Sequence, residues 1–189
     1  MTRYAPRCGC RRHFLRTGTL LATGAALGPL AWLAGCSERS GDDKPPQPVE
    51  ITSATACELD GMLLADYPGP KAQVHYVGTA APVYFCDTVE LFAALLRPEQ
   101  VRAVAAAYVQ DMGRTDWDRP RGQWIDARQA VYVRGSKRLG SMGPTLASFA
   151  QEADAQAFIA QWGGQMLRYA EIKPEMVDLS GGANFDTRM

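Results

Sequence analysis

The stretch Cys57-Glu58-Leu59-Asp60-Gly61-Met62 puts a thiol and a thioether within one local turn. Asp-Gly is a turn dipeptide, and a turn at Asp60-Gly61 can make both sulfurs face one point. Two soft donors so placed suit a soft monovalent ion, above all Cu(I). Zn(II) more often asks for further Cys or His at regular spacing, which this chain does not supply. The same residues also suit a plainer role, a buried Cys and a core Met beside a turn.

Which other donors remain depends on where the chain resides. Arg11-Arg12-His13-Phe14-Leu15-Arg16 is a twin-arginine pattern followed by an uncharged run from Thr17 to Leu33. Leu33-Ala34-Gly35-Cys36 closes that run as a lipoprotein cleavage box, with Cys36 as the acceptor thiol. Residues 1–35 therefore read as a removed export signal of the twin-arginine type, with lipidation at Cys36. A single membrane span is the competing reading, but the run is at the lower length limit and contains Gly24, Gly28 and Pro29. Ser37 is not the Asp that usually retains a lipoprotein at the inner membrane, so outer-membrane attachment is compatible with the sequence. The expected location is a periplasm-facing membrane surface.

Removing the signal removes five Arg and no acid, so a chain of 20 basic and 20 acidic residues becomes one of net charge about −5. That balance argues against nucleic acid and favours cationic partners. Of the five Cys, Cys8 and Cys10 leave with the signal and Cys36 is blocked, leaving Cys57 and Cys86. In an oxidising compartment these two could instead form a structural disulfide in a lipoprotein that only binds a partner. Of the two His, only His75 remains in the mature chain. It is open to two readings, a nitrogen donor or a satisfied structural residue in a strand. No Ser-His-Asp order, phosphate loop or metallohydrolase pattern occurs, so the chain does not read as an enzyme.

The elements that would position these groups follow from periodicity. Residues 36–50 are polar and broken by Pro45, Pro46 and Pro48, as in a flexible tether. Gln73–Val77 and Pro82–Cys86 read as a hairpin. Asp87-Thr88-Val89-Glu90 has the form of a capping box that starts a helix over 88–96, ended by Pro98. Residues 101–109 and 130–133 read as strands, with the Ala content of the first leaving a helix open, and Trp124–Ala127 begins a second apolar section. Thr145–Phe149 resembles a short helix start, Glu152–Gly163 an amphipathic helix, and 166–172 a closing strand. The chain from Pro174 on loses periodicity and is expected to fray.

The two halves resemble each other. From Tyr76, Cys86 lies ten residues on, and from Tyr132, Met142 lies ten residues on. Similar residues follow each, so a sulfur would occupy the same place in both halves, and Met142 could complete a site begun by Cys57 and Met62. Met112 and Asp60 are weaker candidates, for packing and for shaping the turn. The expected architecture is α+β: two small ββαβ units, about 51–112 and 122–175, packed together within a domain of residues 51–175. A tether (36–50) would precede it and a frayed tail (176–189) follow.

A lipobox, Cys-x-x-Asp-Gly-Met, Tyr-Phe-x-Asp at a helix start and Met-Gly-x-Thr-x-x-x-Phe-Ala occur in that order. This order resembles the NosL family of nitrous-oxide reductase accessory lipoproteins, over about residues 50–172. The resemblance implies a periplasmic Cu(I)-binding copper chaperone built of two ββαβ units. It also implies as partners the copper-free nitrous-oxide reductase, whose copper centres it would help to assemble, and a membrane copper-export or maturation complex. Carried over by residue, Cys57 and Met62 match the sulfur motif and Met142 the second-half methionine. Cys86 departs from the family, whose strand end is more often a Phe-Asp pair. The candidate metal ligands are thus Cys57, Met62, Met142 and His75.

Overall fold

The computed structural model describes residues 44–180. The expected export signal, Cys36, the first part of the expected tether and residues 181–189 lie outside the described residues. No helix among the described residues is long and apolar enough to cross a membrane.

The first half contains β1 (Ala72–Tyr76), β2 (Val83–Phe85), α1 (Thr88–Leu95), β3 (Val104–Gln110) and β4 (Trp124–Asp126). Its strands form an antiparallel sheet in the order β2-β1-β3-β4. The second half contains β5 (Val131–Arg134), β6 (Leu146–Phe149), α2 (Glu152–Trp162) and β7 (Gln165–Arg168), with sheet order β6-β5-β7. Both halves therefore run strand, strand, helix, strand, with the first strand central, in an α+β fold.

Period-two alternation explains how the layers stack. Ala72, Val74 and Tyr76 of β1 join Val89, Leu91 and Phe92 of α1 in one core. Tyr132, Leu146 and Leu167 from the second sheet enter that same core. The opposite face of the second sheet, with Val131, Val133, Ala147 and Phe149, packs on Ala155 and Phe158 of α2 and on Met112 and Trp117. The second sheet is thus buried on both faces.

That double burial corrects one expectation. Thr145–Phe149 is not a helix start: residues 146–149 form β6, all four buried and paired with Arg134 to Val131. A strand covered on both sides carries no polar alternation, so its period was invisible. The register of the repeat also changes. Ala72 pairs with Phe85 and Val109, whereas Val131 pairs with Phe149 and Arg168. Phe85 is therefore the counterpart of Phe149, and the helix N-caps Asp87 and Gln151 follow at the same interval. Cys86 corresponds to Ala150, while Met142 lies in the loop ahead of β6. The repeat is one of topology, and the sulfurs do not occupy equivalent places.

Two margins are also better ordered than expected. In the tether, the Tyr108 hydroxyl donates to the Pro46 carbonyl (2.6 Å), and the Gln73 amide both accepts from and donates to the Val49 backbone (2.8 and 2.9 Å). At the other end, β7 stops at Arg168 and single 3-10 turns follow at Tyr169–Glu171 and Pro174–Met176. Val177 is buried, and Met176 and Leu179 pack on the first core, so the chain does not fray at 176.

Candidate metal centre

Residues 57–62 fold as the turn dipeptide requires. The Cys57 N–H donates to the Met62 carbonyl (2.9 Å), and the Gly61 N–H donates to the Cys57 carbonyl (3.0 Å). Asp60 Oδ1 accepts from the Met62 N–H at 3.0 Å. Gly61 has φ +75°, a left-handed conformation that a side chain would oppose. The loop is fastened to the first sheet by the Glu58 N–H, which donates to the Tyr84 carbonyl at 2.8 Å. The Leu59 N–H points at Cys57 Sγ (3.4 Å).

Cys86 arrives from another direction, between the end of β2 and the start of α1. Asp87 is the N-cap and accepts from the Val89 N–H at 2.9 Å. Glu90 reaches back to complete the capping box, and its Oε2 accepts from the Cys86 N–H (2.9 Å) and the Asp87 N–H (3.3 Å). The same oxygen accepts from Cys57 Sγ at 3.2 Å and from Cys86 Sγ at 3.1 Å. Both cysteines are free and buried, so the structure holds two thiols and not the disulfide of the alternative reading.

Met142 is brought in by a loop pressed against the α1 cap. The Ser141 hydroxyl donates to the Cys86 carbonyl, and the Thr145 hydroxyl donates to Asp87 Oδ1 at 2.7 Å. Gly140 permits the approach, because a Cβ there would collide with Asp87 Oδ2 and lie 2.9 Å from Thr145 Cβ. The result is one apolar cluster in which Met62, Met142, Tyr84 and Trp124 pack against Cys57, Cys86, Ile51 and Leu64. Four sulfur side chains from three separate segments meet there.

The surroundings are charged as well as soft. Lys71 is fully buried, and its Nζ donates to the carbonyls of Pro68 (2.8 Å) and Cys86 (2.9 Å). Burial lowers its pKa to about 8, against the opposing pull of Asp87, Cys86, Glu90 and Cys57. Burial also raises the carboxyls of Asp87 and Glu90, partly offset by the hydrogen bonds each accepts. The Cys86 thiol is raised by its hydrogen bond with Cys57, by burial and by the Glu90 charge.

The sequence candidates separate on this geometry. Cys57, Met62 and Met142 come together. His75 does not join them: its Nε2 is 3.1 Å from Gln73 Oε1, and its ring meets Tyr108 edge-on. Among the described residues, the His, Cys, Asp and Glu donors that converge within 4.8 Å are those of Cys57, Asp60, Cys86 and Glu90. Met112 packs with Trp117 in the core under α2. Sequence reasoning missed Lys71, whose burial is tertiary, and the second role of Glu90. Cys86 lies four residues before Glu90, a spacing that could have suggested the latter.

The cluster offers thiol and thioether sulfur first and carboxylate second. Glu90 Oε2 is already committed to two backbone N–H groups and Asp60 to one. Such a site suits a soft ion over a hard one.

Comparison with known proteins agrees with this chemistry. The family model described as NosL matches residues 48–177. The "Copper-binding lipoprotein NosL" of Stutzerimonas stutzeri is 41% identical over 161 residues, covering 85% of this chain and 82% of that protein. The protein of the same description from Achromobacter cycloclastes is 39% identical over 152 residues, 78% of each chain. The crystal structure of the copper chaperone NosL from Shewanella denitrificans superposes with a TM-score of 0.67 at 41% identity, covering 70% of this chain and 99% of that one. A family match over most of the described domain, with relatives at this identity along most of their length, means that the chain belongs to the NosL family.

Proposed function

We propose that this protein is a Cu(I) carrier of the cell envelope, anchored through Cys36 and facing the periplasm. It would take copper from a membrane copper-export or maturation complex and deliver it to copper-free nitrous-oxide reductase. The observation that carries this reading is the convergence of Cys57, Met62 and Met142 in one half-shielded cluster. It is supported by relatives whose names describe copper binding and a copper chaperone. Residues 1–35 are the export signal on this reading. The protein carries its ion and catalyses nothing.

The mechanism follows from the donors. Loading deprotonates Cys57, and the thiolate neutralises the charge of Cu(I). Met62 and Met142 add neutral donors whose bonds exchange easily, unlike a closed site of four strong ligands. Met62 and Cys57 sit on one exposed-edged turn, so an incoming donor can approach from the Met62 side while the buried side stays closed. Trp124 and Tyr84 cover the sulfurs against water and oxygen. His75 stays with Gln73 and outside the proposed ligand set.

The test is an anaerobic Cu(I) titration of the full-length protein in detergent, with its thiols reduced, against a competing chelator. One tight equivalent is expected, lost in Cys57→Ser and weakened in Met62→Leu and Met142→Leu. The loaded protein should then restore copper to apo nitrous-oxide reductase. No tight equivalent in the wild type would end the carrier reading, and binding without transfer would end the delivery step.

A further inference from the structure

Cys86 stands before Asp87 where the resembled family more often has a Phe-Asp pair, and the copper carrier described above does not use it. We propose that Cys86 is a second thiolate donor of that same site, so that the ion is held between Cys57 and Cys86 with the thioethers of Met62 and Met142 beside it. This inference rests on the Cu(I) reading and adds to it a donor and a charge.

The geometry is already in place. The two Sγ atoms lie 3.2 and 3.1 Å from one carboxylate oxygen and within 4.8 Å of each other. A thiolate–metal bond is about 2.3 Å, so two sulfurs sharing one ion stand at most about 4.6 Å apart. Little movement is needed to bridge them. Cys86 is fixed from behind, by its own N–H on Glu90 and by its carbonyl, which accepts from both Lys71 Nζ and the Ser141 hydroxyl. Cys57 sits on the turn at the edge. One donor is thus held from behind and the other lies beside the exposed residues 58–61 of the turn, an arrangement suited to passing an ion on stepwise.

The charges can also be accommodated. Loading breaks two S–H bonds and forms two Cu–S bonds, both protons passing to solvent base with no change of oxidation state. The bis-thiolate unit carries one negative charge more than a mono-thiolate unit. Lys71, the buried cation hydrogen-bonded to the Cys86 carbonyl, faces that added charge together with the carboxyls of Asp87 and Glu90. Glu90 loses the two S–H donors but keeps the Cys86 and Asp87 N–H groups, so the helix cap survives loading. Glu90 keeps this capping role in the proposed loaded state, and the proposal assigns the ion to the sulfurs.

The test repeats the Cu(I) competition on the full-length protein with Cys86→Ser and Cys86→Ala, and counts Cu–S contacts by X-ray absorption. Both variants should keep one equivalent, bind it at least tenfold more weakly and lose one short Cu–S contact. Unchanged affinity and contact number would overturn the proposal. A readout free of mutation uses wild-type protein loaded with Ag(I), a soft monovalent stand-in. Proton–silver scalar couplings to the β-protons of both Cys57 and Cys86 are expected, and coupling to Cys57 alone would overturn it. That result, with tight wild-type binding, removes Cys86 and leaves the carrier intact. Absence of any tight wild-type binding removes both.

Discussion

Thr145 donates its hydroxyl hydrogen to Asp87 Oδ1 at 2.7 Å, and so ties the loop before β6 to the first residue of the α1 cap. The same carboxylate caps α1, and the neighbouring Thr88 hydroxyl donates to the Leu146 carbonyl at 2.6 Å. A buried polar seam thus joins the two halves directly behind the sulfur cluster. Asp87→Ala removes a cap worth about 1 kcal/mol and a charge-assisted bond worth about 1.5–3 kcal/mol. We expect a loss of about 2–4 kcal/mol by urea unfolding. A double-mutant cycle with Thr145→Val should return a coupling of about 1–2 kcal/mol, and additive losses would mean the two residues act separately.

Gly140 should be the most sensitive glycine of the site. Its Cβ would strike Asp87 Oδ2 and crowd Thr145, so Gly140→Ala must move the loop that carries Met142. The expected outcome is a fall in thermal stability together with weaker Cu(I) binding. An equivalent substitution at Gly78, where a Cβ meets nothing within 4 Å but φ is +80°, should cost stability alone.

Lys71 gives a pH signature of defined sign. Its pKa is lowered from 10.5 to about 8 by burial, so between those values the unfolded chain binds more protons than the folded one. Stability contributed by this group is therefore full above pH 10.5 and lost as pH falls through 8. The neutral amine still has hydrogens for Pro68 and Cys86. In the presence of reductant, the wild type should gain stability relative to Lys71→Met as pH rises from 8 toward 10, by an amount on the order of 2 kcal/mol. A flat difference across that range would refute the assignment.

Phe158 tests whether the second core is separate from the site. It stacks on Trp117 with centroids 5.4 Å apart and rings inclined at 20°. Phe158→Ala should cost about 3–5 kcal/mol through the cavity it leaves. Copper affinity of the protein that remains folded should not change, because none of the sulfur cluster's residues belongs to this core.

Much of this was legible in the sequence where the signal is local. The α1 capping box needs only Asp87 and Glu90 at fixed spacing, and the turn at Asp60-Gly61 needs only its dipeptide. The hairpin of β1 and β2 followed from alternation and a short connection. β6 was not legible, because burial on both faces erases its period. The repeat was misregistered because Tyr76 and Tyr132 look alike, while the strand ladders pair Tyr132 at the level of Gln73. His75 drew attention as the lone mature histidine, yet alternation sets it with Gln73 on the face away from Ala72, Val74 and Tyr76. The meeting of Cys57 and Cys86 at Glu90 joins residues 33 apart in sequence, and Lys71 is buried only by tertiary packing, so no window along the chain could show either.

The Glu58 N–H on the Tyr84 carbonyl has an effect on how molecules of this protein meet one another. β2 is an edge strand of three residues, and the turn that bears Cys57 occupies part of its outward backbone. The other edges, β4, β6 and β7, are three or four residues long. Unpaired edges are the usual template for strand addition between chains, and short or covered ones resist it. A copy or partner seeking to extend the first sheet at β2 must first lift the sulfur turn away. On the proposed copper reading, strand addition at β2 and retention of the ion are thereby set against each other, and the turn guards that edge.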